Sequence, residues 1–369
     1  MDIRTYDEAE RRARESVAAW QLLRLFSPVT FDKSEFPTRA GTLYDLLPLL
    51  DAMHGGRMAD FVRERGGFGE DDVDAIANAL ACFVEFHRRT FGGPEALLPI
   101  ASMVSQYLIY TKIQGFPKRA RVLEIGSGCG YLSFFLASDP AVERYDKIEI
   151  TQSLYVLQAL VDAHCYGGAF ENRALRPPQL AQVGLLRLEG SQLFSTRTTV
   201  TVSTEPRSVL HPWWRIDDAL TRSYDVITAN ANLAEMRYGA LVYYLTAIKR
   251  CLADEGVLVI QCLGSQGGGV SRPTVIKTLQ ELGFRPLVLV AGPHDGKHFA
   301  LDNLLLIGPR HPDYQSAPAS FDSPAFLSDH PLVRSIYGLD RPPGSSVSGS
   351  DFVKATVKRL PQKPSSTPV

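Results

Sequence analysis

The chain has no excess charge of either sign. Lysine and arginine total 39 against 40 acidic residues, a formal charge of -1. That balance excludes the broad basic field of a protein held mainly by nucleic-acid phosphates. It also lacks any uninterrupted apolar run near the ~18 residues that a spanning helix needs. The N-terminal stretch Met1 to Glu10 has no apolar segment of the kind a secretory signal carries. Cysteine is sparse. Cys82, Cys129, Cys165, Cys251 and Cys262 are an odd number, far apart in sequence, with no Cys-x-x-Cys pair. Zinc modules and disulfide frameworks are therefore not expected, and reduced thiols in a cytoplasmic chain are.

What is present is ordinary for a globular protein. Of the 369 residues, 45% are hydrophobic, 21% charged and 9% aromatic. The length suggests one large α/β unit with an added part. Residues 1–118 read as helical: 6–26 by composition, 72–88 by the spacing of Val73, Ile76, Ala77, Leu80 and Val84, and Leu97 to Ile113 as a third apolar stretch. Gly115-Phe116-Pro117 ends that part.

From Arg119 the rhythm changes to alternating strands and helices. Strands are expected at Arg121 to Ile125, Lys147 to Ile150, within Thr199 to Leu210, at Tyr224 to Ala229 and at Val257 to Cys262. Pro286 to Val290 and Leu301 to Ile307 suggest a closing antiparallel pair. Helices are expected at Tyr131 to Ser138, Leu154 to Cys165, on the stripe Leu241, Leu245, Ile248 and Leu252, and at Arg272 to Leu282. Such alternation predicts a Rossmann-like, doubly wound α/β fold with a mostly parallel seven-stranded sheet over 119–310. Residues 167–197 show no clear pattern. The remaining 311–369 form an extension with one short helix within Leu327 to Tyr337. Residues 342–369 hold five prolines, six serines and two glycines, a composition that predicts disorder and tolerance of truncation after Arg341.

The segment Val122-Leu123-Glu124-Ile125-Gly126-Ser127-Gly128-Cys129-Gly130-Tyr131 carries the chemistry. A strand ends in three alternating glycines and opens toward a helix, so the backbone can turn sharply and approach a ligand closely. A P-loop would end in Gly-Lys-Ser/Thr, which is absent. A dinucleotide fingerprint would place its last glycine where Tyr131 stands. Glu149, at the end of the next strand and 19 residues beyond Gly130, is placed to accept two ribose hydroxyls.

Gly-x-Gly-x-Gly preceded by Glu124 resembles the first motif of class I S-adenosylmethionine (SAM)-dependent methyltransferases. The likeness runs from about Arg119 to Gly308. Within it, Tyr224 to Met236 is similar to the fourth-strand region of bacterial sugar O-methyltransferases, although Leu233 and Ala234 stand where that family has serine. The resemblance implies SAM as cofactor, held by Glu124, Gly126, Ser127, Gly128, Gly130, Glu149, Asn230 and one aromatic wall, Trp213 or Trp214. It implies a small-molecule acceptor near Asn232 and Glu235, with His298 or Glu235 as general base. The asparagines and Glu235 fit equally well as turn and helix-end residues. Trp213 also fits as a plug on the sheet. No required metal, nucleic acid or membrane partner is expected, and homodimerisation is open. Methyl transfer to nitrogen and a non-catalytic, SAM-binding regulator are the alternatives.

Overall fold

The computed structural model describes residues 2–15, 37–50, 58–92, 98–175, 184–189, 192–197, 205–264, 269–290, 302–340 and 349–360. The N-terminal part contributes α1 (Ile3–Arg14), α2 (Met58–Arg65), α3 (Glu70–Phe91) and α4 (Ile100–Gln114). Helix α3 extends beyond the expected 72–88 at both ends. Glu70, Asp71 and Asp72 suit its positive N-terminus, and Gly92, at φ 71°, ends it. Buried Asp72 accepts from Tyr107 Oη (2.6 Å), Arg65 (3.0 Å) and the Gly69 amide (2.8 Å), which ties α2, α3 and α4 together.

Next come β1 (Ala120–Ile125), α5 (Ser133–Leu136), β2 (Val142–Glu149), α6 (Gln152–Tyr166), β3 (Phe170–Asn172), β4 (Gly184–Glu189), β5 (Gln192–Arg197) and β6 (Ser208–Pro212). They are followed by α7 (Ile216–Leu220), β7 (Tyr224–Ala229), α8 (Tyr238–Cys251), β8 (Leu252–Ile260), α9 (Arg272–Glu281), β9 (Arg285–Val290) and β10 (Asn303–Ile307). Among the described residues one sheet has the order β11-β9-β10-β8-β7-β1-β2-β6-β3, where β11 is Ala325–Phe326. Strands β8, β7, β1, β2, β6 and β3 run parallel. Strand β10 is reversed between β8 and β9. This is the doubly wound α/β architecture. The central strands are buried on both faces: every residue of β7 and every residue of β1 except Arg121 is buried.

Three expectations need correction. The sheet has nine strands rather than seven, because the short β3 and β11 extend its two edges. Edge strands of three and two residues are too short to show an alternation. Residues 167–197 are not wholly irregular: besides β3 they hold β4 and β5, an antiparallel hairpin. The tail is not wholly disordered either. After α10 (Pro331–Tyr337) it forms α11 (Gly349–Arg359). Phe352 is fully buried with its ring 4.4 Å from that of Phe68, and Arg359 pairs with Glu70 (2.6 Å) and Asp74 (2.8 Å) of α3. Phe352 carries the docking, with Val353, Ala355 and Leu360 packed against the same cluster, although composition alone pointed to little to bury.

The helical N-terminal part and the sheet share a core. Phe83 and Phe86 of α3 meet Phe134 of α5, and Tyr6 of α1 meets Tyr155 of α6, in one continuous apolar cluster. On the other face α7, α8 and α9 cover the sheet. No described helix is long and apolar enough to cross a membrane.

Candidate functional site

Strand β1 is central, with β2 on one side and β7 on the other. The chain leaves β1 toward β2 and β6, then returns to lay β7 on the opposite side. The carboxyl ends of β1 and β7 therefore flank the switch point of the sheet, where open α/β sheets bind ligands. The glycine loop leaves β1 there. Gly126, Gly128 and Gly130 all have positive φ (67°, 56° and 75°), a conformation that an L side chain adopts only under strain. The Gly126 amide donates to Ile148 O (2.9 Å), and Gln158 of α6 donates to Gly128 O (2.6 Å). The loop is clamped from both sides.

Beyond the loop, the N-terminal part is stapled down. Tyr131 Oη donates to Leu50 O (2.6 Å), and Cys129 Sγ to Leu49 O (3.1 Å). The Tyr131 ring meets Phe83 edge-on at 5.6 Å. A small cavity results. It is lined by Glu124 of β1, Gly126, Ser127, Gly128, Cys129 and Tyr131 from the loop, Asn230 and Ala231 just after β7, and Ser102 and Gln106 from α4. Ser127 Oγ, Asn230 Oδ1 and Gln106 Oε1 are buried without a hydrogen-bond partner among the described residues. Three unsatisfied polar atoms converging on one cavity are costly unless a ligand or water satisfies them. Ala231 is held at φ 59°, the one non-glycine residue with positive φ among the described residues, and its amide donates to Cys262 O (2.8 Å).

Glu124 lies under the loop, almost fully buried, and accepts from Tyr145 Oη. Burial pushes its carboxyl up to about 7. Glu149 ends β2, where one carboxylate oxygen accepts the amides of Ile150 and Thr151, each at 2.9 Å. Burial pushes it, too, up to about 7, against those hydrogen bonds and another from the Gly128 backbone.

The structure thus brings together Glu124, Gly126, Ser127, Gly128 and Asn230, with Gly130 packed on Gln158 and Glu149 beside the loop. It does not bring Trp213 into the cavity lining. That indole is fully buried, its N–H donating to Glu10 Oε1 of α1 at 3.0 Å, with Trp214 edge-on at 5.4 Å. Asn232 acts locally: its amide donates to Ile125 O and fills the space over Gly126 where a Cβ would stand. Glu235 ends a short turn after β7 and is partly exposed. His298 lies outside the described residues. Ser102, Gln106 and Gln158 were invisible to sequence reading, since each is one polar residue on a helix with no motif around it.

No family model matches the chain, and no curated protein matches it. Solved structures give only distant likenesses. Magnesium protoporphyrin IX methyltransferase from Synechocystis PCC 6803, with bound SAM, is 10% identical, with 65% of this chain and 97% of that one covered, at a TM-score of 0.35. The O-methyltransferase TomG from Streptomyces achromogenes, in complex with SAM, is 15% identical over 64% and 89% of the two chains, at 0.34. The [4+2]-cyclase SpnF is 15% identical over 57% and 72%, at 0.35. The fold assignment stands on the strand order itself.

Proposed function

We propose that the chain binds SAM at the glycine loop and transfers its methyl group to a hydroxyl of a sugar or other small polar metabolite. The observation that carries this reading is the convergence of Ser127 Oγ, Asn230 Oδ1 and Gln106 Oε1 on one cavity beside three positive-φ glycines at the switch point. An amino-acid moiety suits that set: two carbonyl oxygens to accept from an ammonium and one hydroxyl to donate to a carboxylate. Glu149, at the end of the adjacent strand, would hold the ribose hydroxyls. When bound, SAM supplies an electrophilic methyl carbon on a sulfonium. The protein positions the acceptor in line with it, an effect worth up to about 7–11 kcal/mol when done well. The helical N-terminal part, which already lends Ser102 and Gln106, acts as a cap that excludes water and holds the acceptor. His298 or Glu235, the latter on the carboxyl side of β7, takes the hydroxyl proton.

Calorimetry with SAM and labelled-methyl assays against sugars, phenols and amines test this together. Gly128→Val forces a β-branched side chain into positive φ and should abolish SAM binding while the far side of the sheet stays folded. Unchanged SAM affinity in a folded Gly128→Val protein, or binding of NAD in its place, would sink the reading. Glu235→Gln should lower kcat by at least about 10² with SAM affinity retained if Glu235 is the base. Turnover of amines alone would move the chemistry to nitrogen, and binding without any turnover would make the chain a SAM-responsive regulator.

A further inference from the structure

Two cysteines outside every motif, Cys82 and Cys165, lie on helices that the fold packs together. Cys82 lies in the middle of α3 and Cys165 at the end of α6, in helices that pack against each other between the N-terminal part and the sheet. Both are partly exposed, whereas Cys129, Cys251 and Cys262 are buried. The Cys82 and Cys165 thiols act on each other across the α3–α6 contact, and Cys82 Sγ lies 3.5 Å from His164 Nε2. The His164 ring is held in turn by Phe86, edge-on at 5.8 Å. A thiol with a second thiol and an imidazole in reach, open in part to solvent, is the arrangement of a reactive pair rather than of two core residues.

We propose that Cys82 and Cys165 are a redox-active dithiol that closes to an intramolecular disulfide at the expense of a small disulfide such as glutathione disulfide. Cys82, as thiolate, attacks one sulfur of the oxidant. That S–S bond breaks, a mixed disulfide forms on Cys82, and one glutathione leaves as thiolate and takes up the proton that Cys82 lost. Cys165 then loses its proton to solvent and attacks the Cys82 sulfur, which expels the second glutathione as a thiolate that takes up a proton in turn. Two protein thiols are oxidised, one small disulfide is reduced to two thiols, and nothing is left over.

Electrostatics favours Cys82 as the attacking sulfur. The hydrogen bond with Cys165, then that with His164, pull its thiol down to about 6, against burial and the carboxylate of Glu85 on the same helix. Cys165 is pushed upward by its bond to Cys82, by burial and by Asp162, with Lys147 opposing, so it is the resolving partner. The closed bridge would tie α3 to α6, the helix whose Gln158 clamps the glycine loop.

The full chain, equilibrated in glutathione buffers of increasing oxidising ratio, then alkylated and digested without reductant, gives the test by mass spectrometry. The expected product is a Cys82–Cys165 cross-linked peptide pair, with two thiols lost per chain and the other three still alkylated after unfolding. Cys165→Ser should stop at one glutathione on Cys82. Cys82→Ser should give neither cross-link nor adduct while melting like the wild type. In the reduced protein, alkylation of Cys82 should be half-maximal near pH 6, and His164→Asn should move that midpoint up by at least about one unit. An unchanged thiol count in the most oxidising buffer, a wild type that stops at the mixed disulfide, or a cross-link to any other cysteine overturns the proposal.

Discussion

Glu124 and Glu149 stand on adjacent strands, and burial holds each carboxyl near 7. In an unfolded chain each would titrate near ~4.3. Folding therefore takes up protons, and the stability each carboxyl lends is complete below the unfolded value and lost as pH rises through about 7. For one such group the full swing is on the order of 3 kcal/mol. His211 works the other way. Burial, aided by Arg173, pushes its imidazole down to about 3, so its contribution is lost as pH falls below ~6.5. Glu124→Gln separates the two, because the amide oxygen can still accept from Tyr145 while the charge is gone. Thermal melts of the ligand-free protein should show this variant gaining stability over wild type at pH 8 and matching it more closely at pH 5. A wild-type advantage at pH 8 would mean that Glu124 is ionised and well paired there.

The C-terminal helix α11 is the element whose role changed most between composition and structure. Its Phe352 is fully buried against Phe68, and Phe-to-Ala in a packed site costs about 3–5 kcal/mol. A terminal helix can also detach by itself, which caps the loss at the cost of local opening. Phe352→Ala and truncation after Arg341 should therefore lower the melting temperature to a similar extent, since both leave Phe68 uncovered. Melting curves that match wild type in both variants would show that α11 is dispensable. The salt bridges of Arg359 with Glu70 and Asp74 are partly exposed and add little by comparison.

Across the whole molecule, the apolar cluster that joins Tyr6, Phe83, Phe86, Phe134 and Tyr155 crosses the boundary drawn at residue 118. Residues 119–310 alone would expose Tyr131, Phe134 and Tyr155, each now almost fully buried. That face would be a large apolar patch of the kind that drives aggregation. The excised segment should fail to give a monodisperse, cooperatively melting species, whereas the full chain should melt as one unit. A well-behaved fragment would make the N-terminal helices a separable cap. The cavity depends on the same packing, because Ser102 and Gln106 reach it only when α4 lies along the sheet.

Local rules carried the sequence reading as far as backbone conformation and burial pattern reach. Strand β7 was legible to the residue, Tyr224 to Ala229, because Tyr224, Val226, Ile227 and Ala229 leave only Asp225 and Thr228 polar in a short run that the sheet buries throughout. The turn after β1 was legible because three alternating positions of positive φ admit little except glycine. The position of Glu149 at the end of the next strand was legible from the apolar residues before it. Only the tertiary structure brought Gln106 and Asn230 to one cavity, set Trp213 on Glu10, and placed Cys82 beside Cys165. Those meetings are between residues many positions apart, and each residue alone has an ordinary helix, strand or turn environment. Side-chain identity restricts φ, ψ and burial within a few residues, but long-range partners are chosen by how whole elements pack.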